Sequence, residues 1–208
     1  MKEISKKVTA IAWSLLCCLV LTSCNDEKLA RQMEGTWKGS YSANYGDGNE
    51  RVVQTMTFHY DEESIEDDGT FVEELSGTIR TTDLDEVDGT LTCRYRFRIT
   101  GRWSVDIGDL NLTYNLNDCE IEIKKSDVNL HLNNFEDHLA MKAYERETGY
   151  DLLNDIVKEA RKEVYDELRQ QYQQHNAEDG TFANLKVTDN ELSFETNDLG
   201  RMTFRRVR

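Results

Sequence analysis

Proline is absent from this chain of 208 residues, where average usage of about 5% would place roughly ten. That absence argues against proline-rich linkers and stalks. The apolar stretch from Val8 to Leu21 is fourteen residues long, too short to cross a bilayer core as a helix, which takes about 20 residues. Positive charge is scarce as well: 25 Lys and Arg stand against 40 Asp and Glu, a formal net charge of −15. A surface that acidic repels phosphate backbones, so nucleic acid is not an expected partner. No nucleophile elbow, phosphate loop, HExxH or CxxC motif occurs, and no catalysis is expected. His131 and His138 flank Glu136 and Asp137 but match no familiar ligand spacing. The acidic turns Asp61 to Gly69 and Asp83 to Gly89 lack the glycine register of an EF-hand, so neither metal nor cofactor is expected. Apolar residues make up 38% and are interleaved with charged ones, enough for a core at this length.

What is present begins with targeting. Lys2, Lys6 and Lys7 precede the short apolar run, the architecture of a signal peptide. The run ends in Leu21-Thr22-Ser23-Cys24, which resembles the bacterial lipobox. The resemblance implies cleavage before Cys24 and acylation of that cysteine, so that residues 1–23 leave and the membrane becomes a partner through a lipid anchor. Asn25-Asp26-Glu27 resembles the acidic tract of surface-exported lipoproteins of the Bacteroidetes. It implies an outer-membrane lipoprotein, facing the periplasm or the cell surface. Residues 24–34 are polar and read as a tether.

From Gly35 the pattern alternates with period two, the mark of half-buried strands. Trp37, Tyr41, Ala43 and Tyr45 share one face, and Val52, Met56, Phe58 and Tyr60 share another across the Gly46 to Asn49 turn. Pairing Tyr45 with Glu50 places Trp37 opposite Phe58 and Ala43 opposite Val52, which puts both apolar faces on one side. Phe71, Leu75 and Ile79 mark a third strand. In the fourth, Leu91, Cys93, Tyr95, Phe97, Ile99, Trp103 and Val105 face one way, with Arg94, Arg96, Arg98 and Arg102 on the other. On so acidic a chain these arginines are expected to pair with carboxylates across the sheet.

Leu110 to Leu116 alternate on even positions and Cys119 to Ile123 on odd ones, which predicts a one-residue β-bulge near Asn117-Asp118. Pairing Val105 with Leu110 then brings Cys119 opposite Phe97, four residues (roughly 13 Å) from Cys93. A disulfide needs Cα atoms within about 7 Å. Both thiols are expected to be free, unless non-adjacent strands pair.

From Asn134 the period becomes helical, with a break near Thr148-Gly149, and alternation returns at Leu185 for three more strands. Eight short antiparallel strands suggest an up-and-down barrel. Gly35-Thr36-Trp37 resembles the G-x-W of the first lipocalin strand, and Ile99 to Val105 followed by Leu110 to Tyr114 extends the likeness to lipocalin-like domains of Bacteroidetes lipoproteins. The resemblance implies that an arginine late in the chain packs across Trp37 to close the barrel. Arg206, in phase with Met202 and Phe204, is the candidate.

The expected fold is therefore mainly β: an eight-stranded antiparallel lipocalin-like barrel over residues 35–208, with a two-helix insertion at about 134–176 between strands 5 and 6. Parity sends Tyr41, Tyr45, Met56, Phe58, Phe71, Tyr95, Phe97, Tyr114 and Phe194 inward. That lining suits a small apolar or aromatic ligand in a non-catalytic binding or accessory protein. It equally suits a filled barrel whose helical insertion contacts an envelope protein, and an enzyme assembled without a recognisable motif is the third alternative.

Overall fold

Strand alternation has a direct structural consequence, because every second side chain must find a common interior. The computed structural model describes residues 26–46, 48–64, 67–82, 88–177, 180–196 and 199–208. The expected signal segment and Cys24 lie outside them. Nine strands form: β1 (Gly35–Tyr45), β2 (Gly48–Tyr60), β3 (Gly69–Thr81), β4 (Gly89–Asp106), β5 (Asp109–Glu122), β6 (Val128–Leu132), β7 (Thr181–Val187), β8 (Glu191–Thr196) and β9 (Gly200–Arg206). Among the described residues three helices accompany them: α1 (residues 26–33), α2 (Phe135–Thr148) and α3 (Leu152–Ala177).

The sheet closes on itself as an antiparallel barrel. β1 to β5 pair in succession, β5 pairs with β7, β7 with β8, β8 with β9, and β9 returns to β1 through Trp37↔Arg206 and Lys38↔Arg205. Closure removes the unpaired edges that an open sheet would present. Eight positions suffice for nine strands because β6 continues the line of β5. Both run antiparallel to β4, β5 against residues 96–106 and β6 against residues 89–93, with a 3₁₀ turn at Lys125–Asp127 between them. α2 and α3 follow β6, one strand later than a count of five strands anticipates.

The registers correct two expectations. Tyr45 pairs with Gly48, so Trp37 stands opposite Met56 and Ala43 opposite Glu50. A two-residue connection, the commonest hairpin loop, replaces the longer turn. The slip is two residues, so every side chain keeps its face. Between β4 and β5, Val105 pairs with Leu110, but Ile99 faces Cys119 while Gly101 faces Tyr114. Five residues of β5 thus span two of β4, three extra where one was expected. Cys119 sits opposite Ile99, six positions from Cys93 along β4, and both thiols are free.

Residues 26–33, expected as part of a tether, instead fold onto the barrel end where β1 begins and β9 finishes. Leu29, Ala30 and Met33 fall on one helical face, and Ala30 and Met33 are fully buried. Asp26, at the start of α1, accepts hydrogen bonds from the amides of Ile107 and Gly108 in the β4–β5 turn, both at 3.0 Å. Outside the barrel, Arg94 pairs with Asp127, Arg96 with Glu122, Arg98 with Asp118 and Arg102 with Asp67. The basic stripe of β4 is thereby neutralised by carboxylates of neighbouring segments.

α2 starts at Asn134, whose side chain accepts from the Glu136 amide, and ends at Gly149 in a left-handed conformation. None of its residues is buried. α3 is different: Val157, Val164, Leu168 and Tyr172 lie seven, four and four residues apart on one face, and all are buried.

Candidate functional site: the barrel interior

Among the described residues β5 pairs with β7 at Leu110↔Phe182 and Asn111↔Thr181, and the Leu112 amide donates to the Gly180 carbonyl just beyond them. Beyond them α3 stands where a strand would be. Asn176 Nδ2 donates to the Tyr114 carbonyl at 2.8 Å, while its Oδ1 accepts from the Tyr114 amide at 2.9 Å. The side-chain amide thus mimics a strand partner. Tyr165 Oη lies 3.3 Å from Cys119 Sγ, and Arg161 Nη2 donates to the Ile123 carbonyl at 2.6 Å. The helix consequently seals the wall and turns its apolar face into the barrel.

Of the residues expected to line the interior, Met56, Phe58, Phe71, Tyr95, Phe97, Tyr114 and Phe194 are all buried in one core, and Tyr41 is half-buried against it. The side chain of Tyr45 lies outside the described residues. Among the described residues the rings touch one another and the rings that α3 brings in. A chain of contacts, with centroids 4.5 to 6.0 Å apart, runs from Trp103 through Phe58, Phe71, Tyr114, His175, Phe182 and Phe194 to Phe204. Tyr172 branches from it, 4.4 Å from Tyr114 and stacked on Phe97 at 5.6 Å. Two depressions of about 390 Å³ each open to solvent, one around Thr70, Gly101 and Thr113 and one around Asp67, Asp68 and Asp106.

Within this apolar filling sits a carboxyl group. Glu73 of β3 is 2% exposed. Its Oε1 accepts from Tyr172 Oη at 2.9 Å and from Gln54 Nε2 at 2.9 Å, and the Tyr114 hydroxyl is a further hydrogen-bonding neighbour. Its Oε2 is buried with no partner. Burial pushes the Glu73 pKa up, against the lowering effect of those three donors. Tyr172 and Tyr114 are in turn held protonated, first by burial and then by the Glu73 charge. A second polar pair lies near the β1–β2 turn, where Tyr95 Oη donates to Glu50 Oε1 at 2.6 Å. Gly77 makes room for it: a Cβ there would lie 2.1 Å from the Tyr95 ring.

Sequence reasoning passed over Glu73, Gln54 and Glu50, although parity held the signal. Glu73 lies midway between Phe71 and Leu75, and Gln54 midway between Val52 and Met56, so both must face inward. Tyr172 was legible as part of an apolar helical face; its entry into the barrel was not.

At the opposite end, Arg206 lies over the Trp37 indole with its guanidinium carbon 4.1 Å from the ring centroid. It donates to the carbonyls of Gln32 and Glu34, both at 2.6 Å, and to that of Asp189 at 3.0 Å. The Trp37 indole donates to the Met33 carbonyl at 2.7 Å. Gly35, with φ +117°, could carry no side chain here, because a Cβ would fall 2.8 Å from Arg206 Nη1. The constellation ties α1, β1, the β7–β8 turn and β9 together. Its chemistry is structural: the carbonyls left open at the end of α1 are satisfied by a fixed cation. Among the described residues no three His, Cys, Asp or Glu side chains converge as a metal site. Comparison of the chain with protein-family models and with curated proteins finds no match in either.

Proposed function

We propose that this chain is a lipid-anchored, lipocalin-like protein of the bacterial cell envelope that acts without catalysis, as an accessory module working through its surface. One observation carries the choice of surface over pocket: the aromatic lining is consumed by contacts with itself and with α3. The basic start, the short apolar run and Leu21-Thr22-Ser23-Cys24 support the anchor. The exposed side chains of Phe135 and Leu139, one turn apart on α2, support the helical segment as the contact surface for an envelope protein.

A second reading rests on Glu73. Its buried Oε2 has no partner, an arrangement that costs about 1–3 kcal/mol and that an aromatic ligand bearing a hydrogen-bond donor would satisfy if α3 withdrew. Native mass spectrometry of the protein released gently from membranes separates the two. The surface reading expects the mass of the acylated chain alone. A stoichiometric small molecule, lost on unfolding, replaces it with the ligand-binding reading. Labelling with radioactive palmitate tests the anchor, and incorporation that persists in Cys24→Ala refutes it.

A further inference from the structure

The anchor and the barrel are separated by very little chain. Two residues beyond Cys24, Asp26 already belongs to α1 and holds the β4–β5 turn through two hydrogen bonds. Two residues span at most about 7 Å. α1 has no freedom to swing the barrel away, since Met33 is buried, Trp37 and Arg206 hold its carboxyl-terminal carbonyls, and Arg31 pairs with Glu62 of the β2–β3 loop. Headgroup and interfacial layers add only about 5–8 Å on each side of the hydrocarbon core. A lipid-bearing sulfur at the glycerol level therefore leaves no room for a gap between membrane and protein.

The surface facing that membrane carries an anomaly. Ile107, at the tip of the β4–β5 turn, is 76% exposed and has φ +52°. Positive φ is a genuine outlier for a β-branched residue, and Gly or Asn would fill the turn at lower cost. Turn geometry does not explain an isoleucine there. Val207, 48% exposed, lies at the same end, its amide bonded to the Thr36 carbonyl. Resting on the lipid-anchor reading, we infer that the α1 end of the barrel is a membrane-seating surface and that Ile107 inserts into the lipid interface. Lys28 of α1 and Arg205 near the end of β9 are exposed cations at this end of the barrel. Asp106 and Asp109 flank the turn, so seating depends on the anchor and on apolar insertion rather than on attraction to anionic lipid.

Seating fixes the orientation of the whole molecule. β4 carries the turn at one end, after Asp106, and at its other end Gly89 pairs with Leu132, just before α2. Eighteen residues of strand thus hold Phe135 and Leu139 away from the bilayer.

The test uses the acylated protein, beginning at Cys24, in phosphatidylcholine vesicles. An environment-sensitive fluorophore is placed at Ile107→Cys or at Leu139→Cys in a Cys119→Ser background, and quenching by brominated lipid is measured. The expected result is at least a two-fold loss of emission at position 107 and no change at 139. Quenching at 139 alone, or at neither position, overturns the seating. Because the Ile107 substitution can disturb the turn, hydrogen exchange on the unsubstituted protein provides a second measurement. Vesicles should slow exchange over residues 104–110 several-fold relative to the unacylated Cys24→Ala protein, leaving residues 135–145 unchanged; equal exchange over 104–110 overturns the inference. The mass of the Cys24 peptide distinguishes the two failures. An unmodified cysteine removes the anchor reading and the seating with it, whereas an acylated Cys24 with an unprotected turn removes the seating alone.

Discussion

Glu73 is a carboxyl group buried in an apolar core, 2% exposed. Its folded-state pKa is raised above the ordinary value of 4.5 by burial. Above pH 4.5 the unfolded chain therefore releases this proton before the native protein does, and stability falls as pH rises until the raised native pKa is passed. Glu73→Gln removes that dependence while keeping the side-chain shape. The variant should gain on the parent as pH climbs from 4 to 8, by about 1.4 kcal/mol for each tenfold difference in proton affinity between the folded and unfolded carboxyl. Urea unfolding midpoints across that range check it, and parallel curves would show that Glu73 titrates as it does in water. Arg206 makes a different prediction. Arg206→Ala loses a cation–π contact of about 0.5–2 kcal/mol and three charge-assisted bonds to carbonyls. A cost of about 2–4 kcal/mol is expected, with a fall in Tm of roughly 5–10 °C. Arg206→Lys should recover little of it, since an ammonium lacks the planar fork that reaches three carbonyls.

At the scale of elements, α3 is the unusual part. It serves as edge partner to β5 and as core to the barrel, and its Tyr172 lies between Phe97 and Tyr114. Tyr172→Ala should cost about 3–5 kcal/mol and leave a cavity beside Glu73. If the fold survives, that cavity should bind indole or phenol, measurable by calorimetry, while the parent binds neither. Binding by the parent would mean that α3 already yields to ligand. The apolar face of α3 was readable in its helical spacing, but nothing in that spacing indicates which surface the face meets. The bulge before Cys119 shows the same limit from the other side. A change of parity shows that an odd number of residues has been inserted, and one and three leave the same trace.

Across the whole molecule, stability is unevenly spread. The α1 end is bound by Trp37, Arg206 and Asp26, whereas α2 buries none of its residues. Amides of Phe135–Thr148 should exchange with solvent well before those of β1 to β4, because opening α2 exposes no core; equal protection in both would mean that α2 is covered. The net charge of −15 leaves β4 no exception, since its arginines are paired with carboxylates. Those pairs are exposed and contribute little to stability each, but they spare the surface a basic stripe.

Side-chain parity is local, and it alone determined most of the strands, the inward aromatic set and the outward arginines, since a strand has only two faces and one of them must be apolar. Helical period likewise determined α2, α3 and the break at Gly149. What parity cannot carry is distance through space. The two-residue slip of the first hairpin, the size of the bulge and the folding of residues 26–33 onto the barrel end were decided by three-dimensional packing. So was the entry of α3 into the interior, because a gap in the wall between β5 and β7 exists only once the other strands have closed. Which rings the inward set meets depends on that last step, which is why the aromatic lining could be listed from the sequence while its contacts with α3 could not.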